Sequence, residues 1–216
     1  SYGDWSSDVC SSDLSHDGSA LDSAVIENQT ATFAGTVQEP VLVLVSSERA
    51  RGQLILEAGN IAIDLQQPGK MAVGTGTPLN EELGVLLDKY NQLMDEIMSY
   101  QGEDEETYFK TVWTPRFTEE IGSIFKANAN NDIGTMALMY LSNYGEPESL
   151  DAFFDQAGQT VNSRGPIVRI IKQRKALKET SEGMMFTDFT IEDSDGQSIS
   201  FSDYIGKGKY VLVDFW

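Results

Sequence analysis

Few residues in this chain have the type and spacing to do chemistry. It holds one cysteine, Cys10, and one histidine, His16. Neither can form half of a Cys-x-x-Cys redox pair or a zinc set, because both need further thiols or imidazoles. No Ser–His–Asp arrangement can be built around His16. The densest carboxylate run is Glu103-Asp104-Glu105-Glu106. Bunched carboxylates can hold Ca²⁺, but the interspersed Asp/Asn ligands and turn glycine of a calcium loop are missing. The run therefore reads as a solvated turn or helix start. Glu81-Glu82 and Glu119-Glu120 are paired carboxylates of the kind used in acid–base catalysis. Placed in first turns of helices, they serve instead to complement the helix dipole. Gly74-x-Gly76 lacks the strand–helix crossover and third glycine of a phosphate loop. No catalytic, cofactor-binding or metal-ligating residue is assigned within the chain, and no cofactor is expected.

Charge narrows the partners. A net charge of −19 over 216 residues argues against nucleic acid, which an acidic surface repels. The bases are bunched: Arg164, Arg169, Lys172, Arg174, Lys175 and Lys178 are six of the fifteen in the chain. They interleave with Ile167, Ile170, Ile171 and Leu177 at helical spacing, which predicts one helix with a charged outer face. A docking surface for an acidic partner, or for the chain's own acidic part, is the alternative. No run of about twenty apolar residues is present, so no membrane span is expected.

The elements follow from periodicity. Asp4–Leu14 carries a Ser-Ser-Asp repeat without usable period and resembles an in-frame translation of a sequencing-library adapter; a genuine disordered tail is the alternative. Either reading sets residues 1–16 outside the fold and makes Cys10 incidental. Residues 17–77 are β-rich: strands at Leu21–Ile26, Thr30–Val37, Val41–Val45, Gly52–Glu57, Ile61–Leu65 and Met71–Val73, separated by turns at Glu27-Asn28-Gln29, Gly59-Asn60 and Pro68-Gly69. Short strands at this spacing predict an antiparallel sandwich-like domain or partial barrel.

Residues 78–182 turn helical. Thr77-Pro78 is a helix start, and Leu79, Leu83, Leu86, Tyr90, Leu93, Ile97 and Tyr100 form a heptad seam for a hairpin packed within the chain. Thr114-Pro115 restarts a helix, Asp132 caps another, and Gly145-Glu146-Pro147 breaks it. Leu150, Phe153 and Phe154 mark a short helix that stops at Gly158. Ser163 to Lys178 is the basic helix.

From Met184 the pattern changes again. Phe186–Ile191 alternates as a strand, Asp193-Ser194-Asp195-Gly196 is a turn, and Ile199 with Phe201 makes a second strand. Ser202–Ile205 is a helical turn, Gly206-Lys207-Gly208-Lys209 a loop, and Tyr210–Trp216 an apolar run of the kind buried on both faces of a sheet. Phe186-x-x-Phe189, Asp195-Gly196, Ile199-Ser200-Phe201-Ser202-Asp203-Tyr204, Gly206-Lys207-Gly208-Lys209 and Val211-Leu212-Val213-Asp214-Phe215-Trp216 together resemble the opening of a thioredoxin-like domain of the TlpA/ResA and AhpC/TSA type. The β-rich stretch is similar to the domain of unknown function that precedes such domains in envelope proteins. Asp22-Ser23-Ala24, Phe33-x-Gly35, Leu54-Ile55-Leu56-Glu57-Ala58-Gly59-Asn60-Ile61 and Gly74-Thr75-Gly76-Thr77-Pro78-Leu79-Asn80 carry that likeness, with the usual first strands absent.

The resemblance implies an α+β chain: a clipped β-domain, a bundle-like helical middle, and a thioredoxin-like domain beginning at residue 183 and truncated before its active-site cysteines. It implies a thiol–disulfide oxidoreductase of the cell envelope, periplasmic or lipoprotein-anchored, whose partners are disulfide-containing envelope proteins and an electron donor. A peroxidase of the AhpC/TSA kind and a non-catalytic envelope binding or scaffold protein are the alternatives. In either redox reading the chain as written is expected to be inactive, because the reactive cysteine or cysteines would follow Trp216. Residues 184–216, lacking the rest of that domain, are expected to form at most a hairpin.

Overall fold

A computed structural model describes residues 11–16 (as backbone), 19–47, 50–65, 71–193, 195–208 and 210–213. The chain divides into two compact units, Ser1–Val168 and Arg169–Trp216. That division falls within the basic helix, whereas composition places the boundaries at 77/78 and 182/183.

The first unit opens with a five-stranded sheet. Its strands are β1 (Ser11–His16), β2 (Ser19–Val25), β3 (Val41–Ser46), β4 (Arg51–Leu56) and β5 (Ala72–Val73), in the order β2-β1-β3-β4-β5. All pairings are antiparallel except β4 with β5. The expectation that nothing before residue 17 is structured is corrected here. β1 pairs on one side with β2 and on the other with β3, Asp13 lying opposite both Ser23 and Ser46. Polar residues suffice because a strand paired on both edges is held by backbone hydrogen bonds, which do not depend on side-chain type. Residues 1–10, with Cys10, lie outside the described residues. Deleting residues 1–16 should therefore lower the thermal unfolding midpoint clearly, since each backbone hydrogen bond contributes about 1 kcal/mol. An unchanged midpoint would return the segment to the status of a tail.

The strands at β2, β3, β4 and β5 fall where alternation predicts them, but Thr30–Val37 and Ile61–Leu65 form no strand. The turn between residues 27 and 30 closes with two 2.9 Å bonds between Glu27 and Thr30, and Asn28 and Gln29 both take positive φ. Beyond Thr30 the pairing ends, and Ala62 makes one isolated bridge to Thr75. These extended segments pack Phe33, Ile61, Ile63 and Leu65 onto Val43, Val45 and Leu54. The second layer expected of a sandwich is thus irregular chain rather than a second sheet. Burial of the apolar side chains decides the packing, and their backbone groups find few ladder partners.

The opposite face of β4 presents Ile55 to the helices. α1 (Pro78–Ser99) packs against α3 (Thr114–Ala127) and α4 (Asp132–Tyr144). Its heptad seam buries Leu83, Leu86 and Leu93 within the one chain, as the hairpin reading expects. The helix predicted to restart at Thr114-Pro115 begins earlier, with α2 (Glu105–Tyr108) and a π-turn at Phe109–Trp113 running straight into α3. A proline ring crowds the carbonyl four residues before it, here that of Thr111, and leaves it without a donor. The π-turn widens the ladder at that place: the Thr114 N–H donates to the carbonyl of Phe109, five residues back. It also carries Trp113 fully inside, where the indole N–H donates to the Leu93 carbonyl at 2.7 Å.

Asn131, not Asp132, caps α4, its side chain accepting from the Gly134 N–H at 3.1 Å. α5 (Pro147–Gln156) starts at the expected break. α6 (Gln159–Ser163), which no sequence signal separated, precedes α7 (Gly165–Glu179).

In the second unit, β6 (Thr190–Glu192) and β7 (Ser198–Ser200) form a two-stranded hairpin with Ile191 opposite Ile199. Asp193 accepts from the amides of Asp195 and Gln197 at 2.9 and 2.8 Å, and Gly196 takes φ +76. A capping box between Ser200 and Asp203 starts the 3-10 turn Phe201–Asp203. Residues 210–213 are not in a strand, and 214–216 lie outside the described residues. Among the described residues the hairpin is the extent of regular β-structure in this unit, in line with the expected remnant.

Candidate functional site

Two polar nodes fix the helices to the sheet. At the first, α1 must meet the face of β4 at its N-terminal turn, where helix amides have no helical partner. Glu57 supplies one, accepting from the Leu79 and Asn80 amides at 2.8 and 3.3 Å. Asn80, fully buried, then acts as an extra strand residue. Its Oδ1 accepts from the Ile55 N–H, and its Nδ2 donates to the Ile55 carbonyl and to Thr77 Oγ1, all at 2.8 Å. Gly74 is required beside it: a Cβ there would lie 2.4 Å from Asn80 Oδ1 and 2.5 Å from the Leu54 Cβ.

At the second node Asp132, only 5% exposed, accepts from Arg164 Nε at 2.6 Å and Nη2 at 3.0 Å, and from the Leu42 N–H at 2.7 Å. Leu42 lies on β3 beyond the residues that pair with β1, so its outward amide needs that carboxylate. The bidentate fork is the geometry in which arginine binds carboxylate most strongly.

A third network lies along α1 and α3. Glu96 accepts from Tyr108 Oη at 2.6 Å and from Arg116 Nη2, while Glu120 takes Lys89 at 2.7 Å and lies 3.2 Å from Arg116 Nε. The Arg116 hydrogen bond first, and the Tyr108 bond second, hold the Glu96 carboxyl below the usual glutamate range. A lowered carboxyl pKa stabilises the fold above the ordinary glutamate value, and the contribution disappears as pH falls through the lowered one. Glu96→Gln should accordingly flatten the acid limb of a stability-against-pH curve measured by urea unfolding. An unchanged acid limb would show that the network carries no pH-dependent stability.

Behind it, Tyr90 stacks on Tyr140 at 4.0 Å. Burial, then its hydrogen bond to Tyr144, push the Tyr90 hydroxyl up to about 12. That contribution is present below the ordinary tyrosine range and is lost as pH climbs toward 12.

The residues singled out by type sit mostly in these structural roles. Asp104 caps α2, accepting from the Thr107 N–H at 2.9 Å, and Glu106 pairs with Lys110 at 2.6 Å. Glu81 accepts from the Gly76 N–H at 2.9 Å, so one amide of Gly74-x-Gly76 is already bonded to a carboxylate. Glu119-Glu120 are not in a first turn as expected; with α2 and the π-turn ahead of α3, they sit mid-helix. His16 ends β1 opposite Ser19, by backbone. Among the described residues no group of three or more His, Cys, Asp or Glu is placed to hold a metal. No helix among them is long and apolar enough to cross a membrane.

The second unit carries an exposed apolar surface. A cleft of about 380 Å³ is lined by Met184, Met185, Phe186, Phe189, Phe201 and Val213, among others. Phe201 is stacked on Phe189 at 5.0 Å and meets Phe186 edge-on at 5.3 Å. Tyr210 is fully exposed and Leu212 is 95% exposed. Apolar side chains in such an arrangement bind apolar surface; they supply no nucleophile or base.

These features define a mixed α/β chain: a five-stranded sheet tied to a helical array by buried polar nodes, and a separate hairpin unit. Residues 11–83 match the family described as Domain of unknown function (DUF4369). The match takes in all five strands, the Asn80 node and the first turn of α1. No curated protein and no solved structure matches the chain.

Proposed function

We propose that the chain is the N-terminal part of a cell-envelope thiol–disulfide oxidoreductase, in which a β-domain and a helical spacer precede a thioredoxin-like domain. In that domain a low-pKa thiolate attacks a substrate disulfide and a second cysteine resolves the mixed disulfide. Both thiols lie outside these 216 positions, since the chain's one cysteine is Cys10. The observation that carries the reading is the order of elements after residue 185. A hairpin with an Asp-Gly turn, a capped 3-10 turn, and a loop with Gly206 and Gly208 at φ +74 and +72 lead into an uncovered apolar run. A buried strand needs neighbours on both faces, and Tyr210 and Leu212, exposed and not in a strand, have the apolar pattern that such neighbours would cover. The family match at 11–83 supports the β-domain expected ahead of it.

The test is the coding sequence read past Trp216 in the intact gene. Cys-x-x-Cys within a few residues supports the oxidoreductase. A lone cysteine there would turn the reading to a peroxidase, and none to a binding or scaffold protein.

A further inference from the structure

α7 carries a charge pattern that the proposed redox chemistry does not use. From Arg164 to Lys178 the chain has six bases and no acid, against −19 overall. Arg174 and Lys178 have partners of their own, and Lys175 lies 3.7 Å from the exposed Glu179. Arg169, Lys172 and Lys175 are exposed and follow one another at a spacing of three, which sets them in a single stripe along the helix. Like charges at that spacing repel and weaken an isolated helix, so the stripe gains most when an anionic surface lies against it. Ile171, 39% exposed, flanks it.

We propose that this stripe docks an acidic protein segment, its carboxylates along Arg169, Lys172 and Lys175 and an apolar side chain on Ile171. A bilayer fits less well. Membrane-surface helices hold their apolar residues on one face. Here the other exposed apolar residues of α7, Val168 and Leu177, lie about 60° to one side of Ile171 and about 120° to the other, so the three spread over half the helix circumference.

The experiment measures anisotropy of labelled poly-L-glutamate on the whole chain at low salt, with phosphatidylglycerol vesicles in a parallel arm and sedimentation velocity for self-association. Binding should weaken about tenfold or more in Lys172→Glu/Lys175→Glu and should fall with added salt. The neutral pair Lys172→Gln/Lys175→Gln should lie between, and Lys110→Glu on α2 and its π-turn should bind as the parent does. These positions are exposed, and unchanged circular dichroism would verify folding. Failure of poly-glutamate to bind at low salt would overturn the proposal. So would binding insensitive to charge reversal, preference for vesicles, or self-association that the reversal abolishes.

Discussion

Asn80→Ala should destabilise the first unit by about 4 kcal/mol, because it leaves several buried groups unpaired at once. The side chain is fully buried and joins β4 to α1 through both backbone groups of Ile55. Truncation leaves the Ile55 N–H and carbonyl and the Thr77 hydroxyl without that partner, inside a core water does not reach. Asn80→Asp should cost nearly as much, since it keeps an acceptor for the Ile55 N–H but sets carboxylate oxygen against the Ile55 carbonyl. Gly74→Ala should be destabilising alone and less than additive with Asn80→Ala, as its Cβ collides with the atom removed. Urea unfolding followed by circular dichroism measures all three. A loss under about 1 kcal/mol for Asn80→Ala, the size of one ordinary hydrogen bond, would show that the node is not what ties sheet to helix.

The second large effect is at Asp132. Asp132→Ala should cost about 2–3 kcal/mol, less than the ~3–5 kcal/mol of a fully buried ion pair because the Arg164 side chain is 24% exposed. It removes the carboxylate that both the Arg164 guanidinium and the Leu42 N–H donate to. Asp132→Asn should be milder, because an amide oxygen still accepts from Leu42. Arg164→Met should approach the alanine variant by leaving a nearly buried carboxylate without its cation. A double-mutant cycle between Asp132→Asn and Arg164→Met should give a coupling of about 1–3 kcal/mol, as expected for residues in one network. Independent effects would contradict the bidentate geometry.

Much of the fold is legible in the sequence, and the parts that are not have identifiable causes. Periodicity placed β3 and α1, which bury stripes, while β4 buries a continuous run. The C-terminal hairpin was marked by alternation and its Asp-Gly turn, although β6 is exposed along its length. Residues 30–37 and 61–65 alternate well but make single bridges, at Thr30 and Ala62, rather than a ladder, and side-chain pattern alone does not reveal that. β1 shows the converse: its residues are polar, yet ladder bonds on both edges hold it. Pro115 reads as a helix start, although a π-turn lets a helix run through it. Asn80 and Arg164 were invisible as nodes for a different reason. A first-turn asparagine and a basic residue before a helix are ordinary locally, and their roles arise from partners 25 and 32 residues away. The redox chemistry proposed for the intact protein rests on resemblance, carried by glycine, phenylalanine and apolar positions that build a domain rather than react.

Redox activity tests the central claim most directly. Insulin disulfide reduction with dithiothreitol, followed by turbidity, should be run on the 216-residue chain, its Cys10→Ser variant and the intact gene product. The short chain should precipitate insulin no faster than dithiothreitol with equimolar free cysteine, Cys10→Ser should change nothing, and the intact product should accelerate the reaction. Turnover by the short chain that survives Cys10→Ser would place catalysis on residues within it. An intact product carrying Cys-x-x-Cys that gives no acceleration would contradict the oxidoreductase.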